Sequence, residues 1–215
     1  MNLKTMIQNY NPVSIIRKKL LRKKLSKKNI TILSSNCLGG LLYNELGLQF
    51  LSPTVNLRFT STDFVKFILD IEKYLDADFN EVTSEETYPV AKLEDIMVHF
   101  VHYHTFEDAI KTWRRRRERI NWDNVYIILN DCDGLSEEHL SLLDKSSFKN
   151  IVVFTSKKDW KYKCSFYLPR YDNEPCVGNL MAKNPFTGMM TGEKDFDFVS
   201  WFNQSRGDAL DDYRR

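Results

Sequence analysis

Apolar and polar positions along the chain alternate between a helical and an extended period. Val13, Ile16 and Leu20 recur at helical spacing, and Ile15, Leu21 and Leu25 widen that face. With Pro12 suited to a first helical turn, the spacing predicts a helix over 12–26. Residues 29–33 are rich in β-branched side chains and read as a short strand. Ser34, Ser35, Asn36, Cys37, Leu38, Gly39 and Gly40 follow as a loop, then a helix over about 41–46 that stops at Gly47. A second strand is expected over 54–59. A helix over about 63–75 follows, capped by Ser61 or Thr62, with Phe64, Phe67, Ile68 and Ile71 on one face.

Residues 96–102 are apolar on both alternating faces, which predicts a central strand. Thr105 then caps a helix with Glu107 and Asp108 in its first turn and Phe106, Ala109, Ile110 and Trp113 as its buried stripe. The clearest strand is 123–129, leading into the turn-forming residues 130–134. A short helix begins at Ser136, strands are expected at 150–155 and 165–168, and a last helix over 195–203.

Strands alternating with helices argue for an α/β fold, a mostly parallel, Rossmann-like sheet with helices on both faces. The acidic, aperiodic stretch near 76–90 is the natural joint if the domain divides into two small lobes. The expected organisation is a basic amphipathic N-terminal segment (1–28), an α/β domain (29–203) and a polar, frayed tail (204–215).

Charge changes this picture at one place. Eight basic residues and no acid fall between Arg17 and Lys28, so the rest of the chain is net acidic although the whole carries +2. An acidic body is a poor general nucleic-acid binder. The basic helix, 12–28, is instead expected to lie on an anionic membrane surface, which places the protein in the cytoplasm, peripheral at the inner face of the membrane. The competing expectation is that its leucines pack on the body of the same protein. No apolar run approaches the roughly 20 residues of a membrane span. The cysteines Cys37, Cys132, Cys164 and Cys176 show no metal-ligand spacing, which predicts free thiols in a reducing compartment.

Four sets of residues carry candidate chemistry. Ser35, Asn36, Cys37, Gly39 and Gly40 follow a strand, where ligands of open α/β sheets gather, and Asn36, Gly39 and Gly40 are expected to bind substrate. Asp131 and Asp133 form a D-x-D turn that can hold Mg²⁺ or Mn²⁺ with a substrate diphosphate, or simply an Asx turn. Among the histidines His99 and His102 read as core residues, and His104, at a loop edge, as a general base. The run Arg114 to Arg117 with Arg119 reads as a solvated helix face. The tripeptide Arg206-Gly207-Asp208 reads as a chance occurrence.

The segments 34–40, 46–48 with 52–54, Phe106-Glu107 with Trp113 and 119–124, 131–134 and 177–179 together resemble an uncharacterised bacterial family labelled exopolysaccharide biosynthesis protein, with a domain of unknown function. The resemblance spans about 12–203. It implies a setting in capsule or exopolysaccharide gene clusters and supplies no catalytic roles. The leading expectation is a glycosyltransferase-like, sugar-modifying enzyme acting on a nucleotide-sugar or a polysaccharide intermediate, with metal at Asp131 and Asp133 and His104 as base. The alternatives are an acyltransferase or esterase with Ser35 or Cys37 as nucleophile, and a non-catalytic assembly partner.

Overall fold

The computed structural model describes residues 11–204 and 210–215. Of the expected N-terminal segment, residues 1–10 lie outside the described part, as does the tripeptide 206–208.

Four parallel strands form the main sheet: β1 (Thr31–Ser34), β5 (Val125–Asn130), β6 (Asn150–Thr155) and β7 (Ser165–Tyr167), in the order β1-β5-β6-β7. Both faces are covered, because successive side chains point to opposite sides. On one face Leu33, Ile127, Leu129, Ile151 and Val153 join a core with helices α3 (Ser61–Leu69), α4 (Ile71–Asp76), α5 (Phe106–Arg117) and α6 (Glu137–Lys145). On the other, Ile32, Tyr126, Ile128, Val152 and Phe154 meet α2 (Leu38–Leu46), α7 (Phe198–Asn203) and the aromatic ring of Phe196. Helix α1 (Pro12–Lys24) packs on α2.

A second, antiparallel sheet holds β2 (Phe79–Val82), β3 (Val90–Leu93) and β4 (Ile96–His99), with β3 in the middle. Its buried residues Ala91, Leu93, Ile96 and Val98 belong to the same core as the first face of the parallel sheet. The stretch 76–90 therefore contributes a strand and a loop.

The structure departs from several expectations. The apolar run 96–102 is not a central parallel strand. It ends at His99 and lies beside β3, and its doubly apolar pattern arises because Met97 and His99 are half-covered while Ile96 and Val98 enter the core. Residues 54–59 make a turn rather than a strand, with Asn56 at φ 68° and only Arg58 bridging to His99. The helix expected over 63–75 breaks at Asp70, whose ψ of 47° ends α3 and starts α4. The tail end is docked: Tyr213 is buried and Arg214 bridges to Phe196.

Strand β1 sits at the sheet edge, and an open edge needs partners for its backbone. The Tyr43 hydroxyl accepts from Ile32 N (2.8 Å) and donates to Ile30 O (3.1 Å), and Thr54 Oγ1 accepts from Ser34 N (3.1 Å). The 52–56 turn and α2 thus close the edge and carry β1 straight into the Asn36 loop.

Candidate functional site

The carboxyl ends of β1 and β5 open on a cleft of about 290 Å³, lined by Asn36, Asn130, Val177, Gly178, Asn179, Leu180 and Met181. That volume sits at the lower end of small-molecule sites. Three chain segments meet there: the loop after β1, the end of β5, and the 177–181 loop.

Asp131 fixes the third segment. Its carboxylate is buried and acceptor-only when ionised. Oδ2 accepts from Ser156 N (2.7 Å), Ser156 Oγ (2.9 Å) and Thr155 Oγ1 (3.1 Å), and Oδ1 accepts from Val177 N (2.7 Å). Next to it Cys132 is joined to Cys176 in a disulfide, with Cα atoms 5.2 Å apart. This corrects the expectation of four free thiols, because only Cys37 and Cys164 are free. Two residues 44 apart in sequence were not recognisable as partners from spacing. The correction also withdraws the support that free cysteines lent to a reducing compartment.

The lining amides have a common polarity. Asn36 Oδ1 accepts from Leu38 N (3.0 Å), and Asn179 Oδ1 accepts from Met181 N (2.9 Å). A backbone N–H can only face the oxygen, so these two carboxamides are oriented by their own loops. The Ser61 hydroxyl donates to the Asn130 backbone carbonyl (2.9 Å) and lies 3.4 Å from Asn130 Oδ1, so it does not fix the orientation of that carboxamide. All three NH₂ groups lack an acceptor among the described residues, and none of those residues that lines the cleft is titratable. The cleft presents neutral donors.

The expected site residues fall in different places. Asn36 lines the cleft. Gly39 and Gly40 are buried packing positions: a Cβ on Gly39 would meet Ser34 Cβ at 2.9 Å, and one on Gly40 would meet Asn56 Oδ1 at 3.2 Å. Gly39 lets α2 lie close on β1, and Gly40 lets it approach the 52–56 turn. Ser35 is buried in the backbone ladder, its N donating to Ile128 O and its carbonyl accepting from Phe59 N. Cys37 is the residue before α2, and burial raises its thiol above the usual range, which keeps it protonated near neutrality. Asp133 is exposed, with φ 55°.

His104 lies elsewhere. It is exposed and lines a wider cleft of about 650 Å³ formed with the 81–90 hairpin, which shares no residue with the first. Ser35 and Cys37 are therefore not paired with His104 in this structure. His102 is exposed in the turn after β4. His99 is half-buried with an unpartnered Nδ1, and burial, with the nearby Arg58 charge, lowers its pKa. Arg116 is the buried member of the arginine run, donating to Val55 O (2.9 Å) and Tyr103 Oη (3.0 Å), so part of that run builds the 52–56 turn. Volume alone favours the His104 cleft. The strand ends, the Asp131 clasp and the three free amides favour the smaller one.

Sequence reasoning missed Asn130 and Asn179 as lining residues. The usable signal was their type and place: one ends the clearest strand, and the other follows Gly178 in a loop without helical or strand periodicity.

Comparison with known proteins fits this scale of organisation. The chain belongs to the family described as Domain of unknown function (DUF1919), matched over residues 8–203. It is 35% identical over 185 residues to an uncharacterized protein of Haemophilus influenzae, covering 86% of this chain and 89% of that protein. The matched region contains both sheets and the whole cleft.

Proposed function

We propose that the chain is a sugar-modifying, glycosyltransferase-like protein of cell-surface polysaccharide synthesis, which holds the sugar-phosphate end of a nucleotide-sugar between Asn36, Asn130 and Asn179 on a Rossmann-like sheet. The observation that carries this reading is the set of three carboxamides. The oxygens of Asn36 and Asn179 are engaged by their own loops, and the three NH₂ groups have no acceptor among the described residues. A ring of neutral donors selects an acceptor-rich ligand, and sugar hydroxyls and phosphate oxygens are such acceptors. Two of the segments that carry the family resemblance, 34–40 and 177–179, contribute residues to this cleft.

The lining supplies donors and no acid or base, so its part in a transfer is to orient the sugar and stabilise charge on oxygen. Mg²⁺ or Mn²⁺ at Asp131 and Asp133 is not part of the reading. Three donors already converge on Oδ2 of Asp131 and one on Oδ1, while Asp133 projects from a left-handed turn.

A thermal-shift panel of nucleotide-sugars and sugar phosphates, each with and without divalent metal, tests the proposal. A ligand at 100 times its Kd adds about 2.7 kcal/mol, which raises Tm by roughly 5–10 °C in a chain of this size. Asn179→Asp keeps the acceptor for Met181 N and replaces the donor by a carboxylate oxygen. It is expected to leave the unliganded Tm unchanged and abolish the shift. No shift with any donor, or the same shift in Asn179→Asp, overturns the reading.

A further inference from the structure

Helix α1 has two unlike sides. Its inner side is built into the protein. Arg17 pairs with Glu45 (2.8 Å) and Glu193 (2.5 Å), Lys18 lies 3.5 Å from Glu45, and Arg22 donates to the carbonyls of Asn44 and Glu45 at the end of α2. Leu25, just past the helix, is buried. Four of the eight clustered cations are therefore engaged inside the protein, since Lys27 Nζ also donates to Gln204 O.

The outer side is different. Val13, Ile16 and Leu20 are 54%, 58% and 56% exposed. At 100° per residue they fall within an arc of about 60°. Phe186, 75% exposed, stands beside the start of this helix, because its carbonyl accepts from Asn11 Nδ2. Lys23 and Lys24 flank this apolar arc, Lys19 lies further round the same helix and Lys28 is exposed beyond its end; none of the four has an acidic partner among the described residues. No described helix is long and apolar enough to cross a membrane.

We propose that this face is a docking surface for an anionic lipid bilayer, with Val13, Ile16, Leu20 and Phe186 entering the acyl boundary and the outward lysines meeting the headgroups. The occupant is chosen by charge. An exposed apolar face whose charged neighbours among the described residues are cations suits an anionic interface, and two copies of it would bring like charges together. The inner ion pairs hold the helix in register, so the outer face is presented as a rigid unit.

Co-sedimentation of the full chain with vesicles tests this. One set is pure phosphatidylcholine, and the other carries about one third phosphatidylglycerol. Binding is expected only to the anionic set, weakening as salt rises. Ile16→Glu with Leu20→Glu, and separately Lys23→Glu with Lys24→Glu, are each expected to lower binding about tenfold or more. All four positions are exposed, and an unchanged Tm confirms folding of each variant. A chain lacking residues 1–10 is expected to bind as well as the full chain. The proposal is overturned if the full chain ignores anionic vesicles at low salt, if either double variant binds like the original, or if the protein dimerises in ultracentrifugation through this face and stays off the lipid.

Discussion

Replacing Asp131 by Asn is the most informative single change, because it alters the polarity of one buried group and almost nothing else. Four donors converge on the carboxylate: Thr155 Oγ1, Ser156 N and Ser156 Oγ on Oδ2, and Val177 N on Oδ1. The carboxamide brings one oxygen and one NH₂. Its least costly orientation keeps the oxygen toward the three donors and turns the NH₂ toward Val177 N. One charge-assisted bond, worth about 1.5–3 kcal/mol, is then replaced by two opposed donors, and the other three become neutral and weaker. The expected loss is about 3–4 kcal/mol, a large part of a typical stability of 5–15 kcal/mol. At roughly 2–4 °C per kcal/mol this lowers Tm by about 6–16 °C. Val177 starts the loop that forms one wall of the cleft, so ligand affinity falls as well, even at temperatures where the variant is folded. Urea unfolding with an unchanged m-value measures the stability loss. A loss below about 1 kcal/mol would refute the claim that this carboxylate holds the loop against the sheet.

Three further perturbations probe the parts that support the cleft. Burial alone would raise Glu45, but hydrogen bonds from Lys183 and Arg17 and the charge of Lys18 outweigh it, so its carboxyl sits below the ordinary value. A depressed folded pKa contributes stability above the unfolded value and loses it as pH falls through the folded one. Glu45→Gln should therefore cost about 3 kcal/mol near pH 7 and flatten the acid limb of a stability-versus-pH series. Reduction of Cys132–Cys176, which closes a loop of 44 residues, should lower stability by about 4 kcal/mol on the chain-entropy account. Thiol blocking of the unfolded, unreduced chain followed by mass spectrometry should count two free cysteines before reduction and four after it. Gly39→Ala places a Cβ 2.9 Å from Ser34 Cβ, pushes α2 off β1, and should cost about 1–3 kcal/mol by the same unfolding assay.

The parallel sheet was legible because its strands are buried on both faces and read as unbroken apolar runs, as in 125–130 and 150–155. The antiparallel sheet was not. Four residues of β4 are too few to fix direction, and its partners lie in 79–93, where exposed Asn80, Glu81 and Lys92 hide the alternation. The Asp70 break was invisible because Ile68, Ile71 and Leu75 keep a helical period across it. Half of the candidate site could be found. Asn36 and the 131–133 turn follow strands, where the sheet rule points. The 177–181 wall could not, because a backbone bond from Val177 to Asp131 and a disulfide across 44 residues hold it there, and neither leaves a spacing signal. That tertiary placement also gives Asp131 its role as a buried clasp, a role the D-x-D pattern does not show.

Side-chain amide NMR tests the central claim most directly. With the NH₂ pairs of Asn36, Asn130 and Asn179 assigned, the protein is titrated with a nucleotide-sugar. The account predicts that these three pairs move together and saturate at one Kd, while signals from the His104 cleft stay in place. Three stationary pairs, with shifts instead at His104, Thr105 and the 81–90 hairpin, would contradict it.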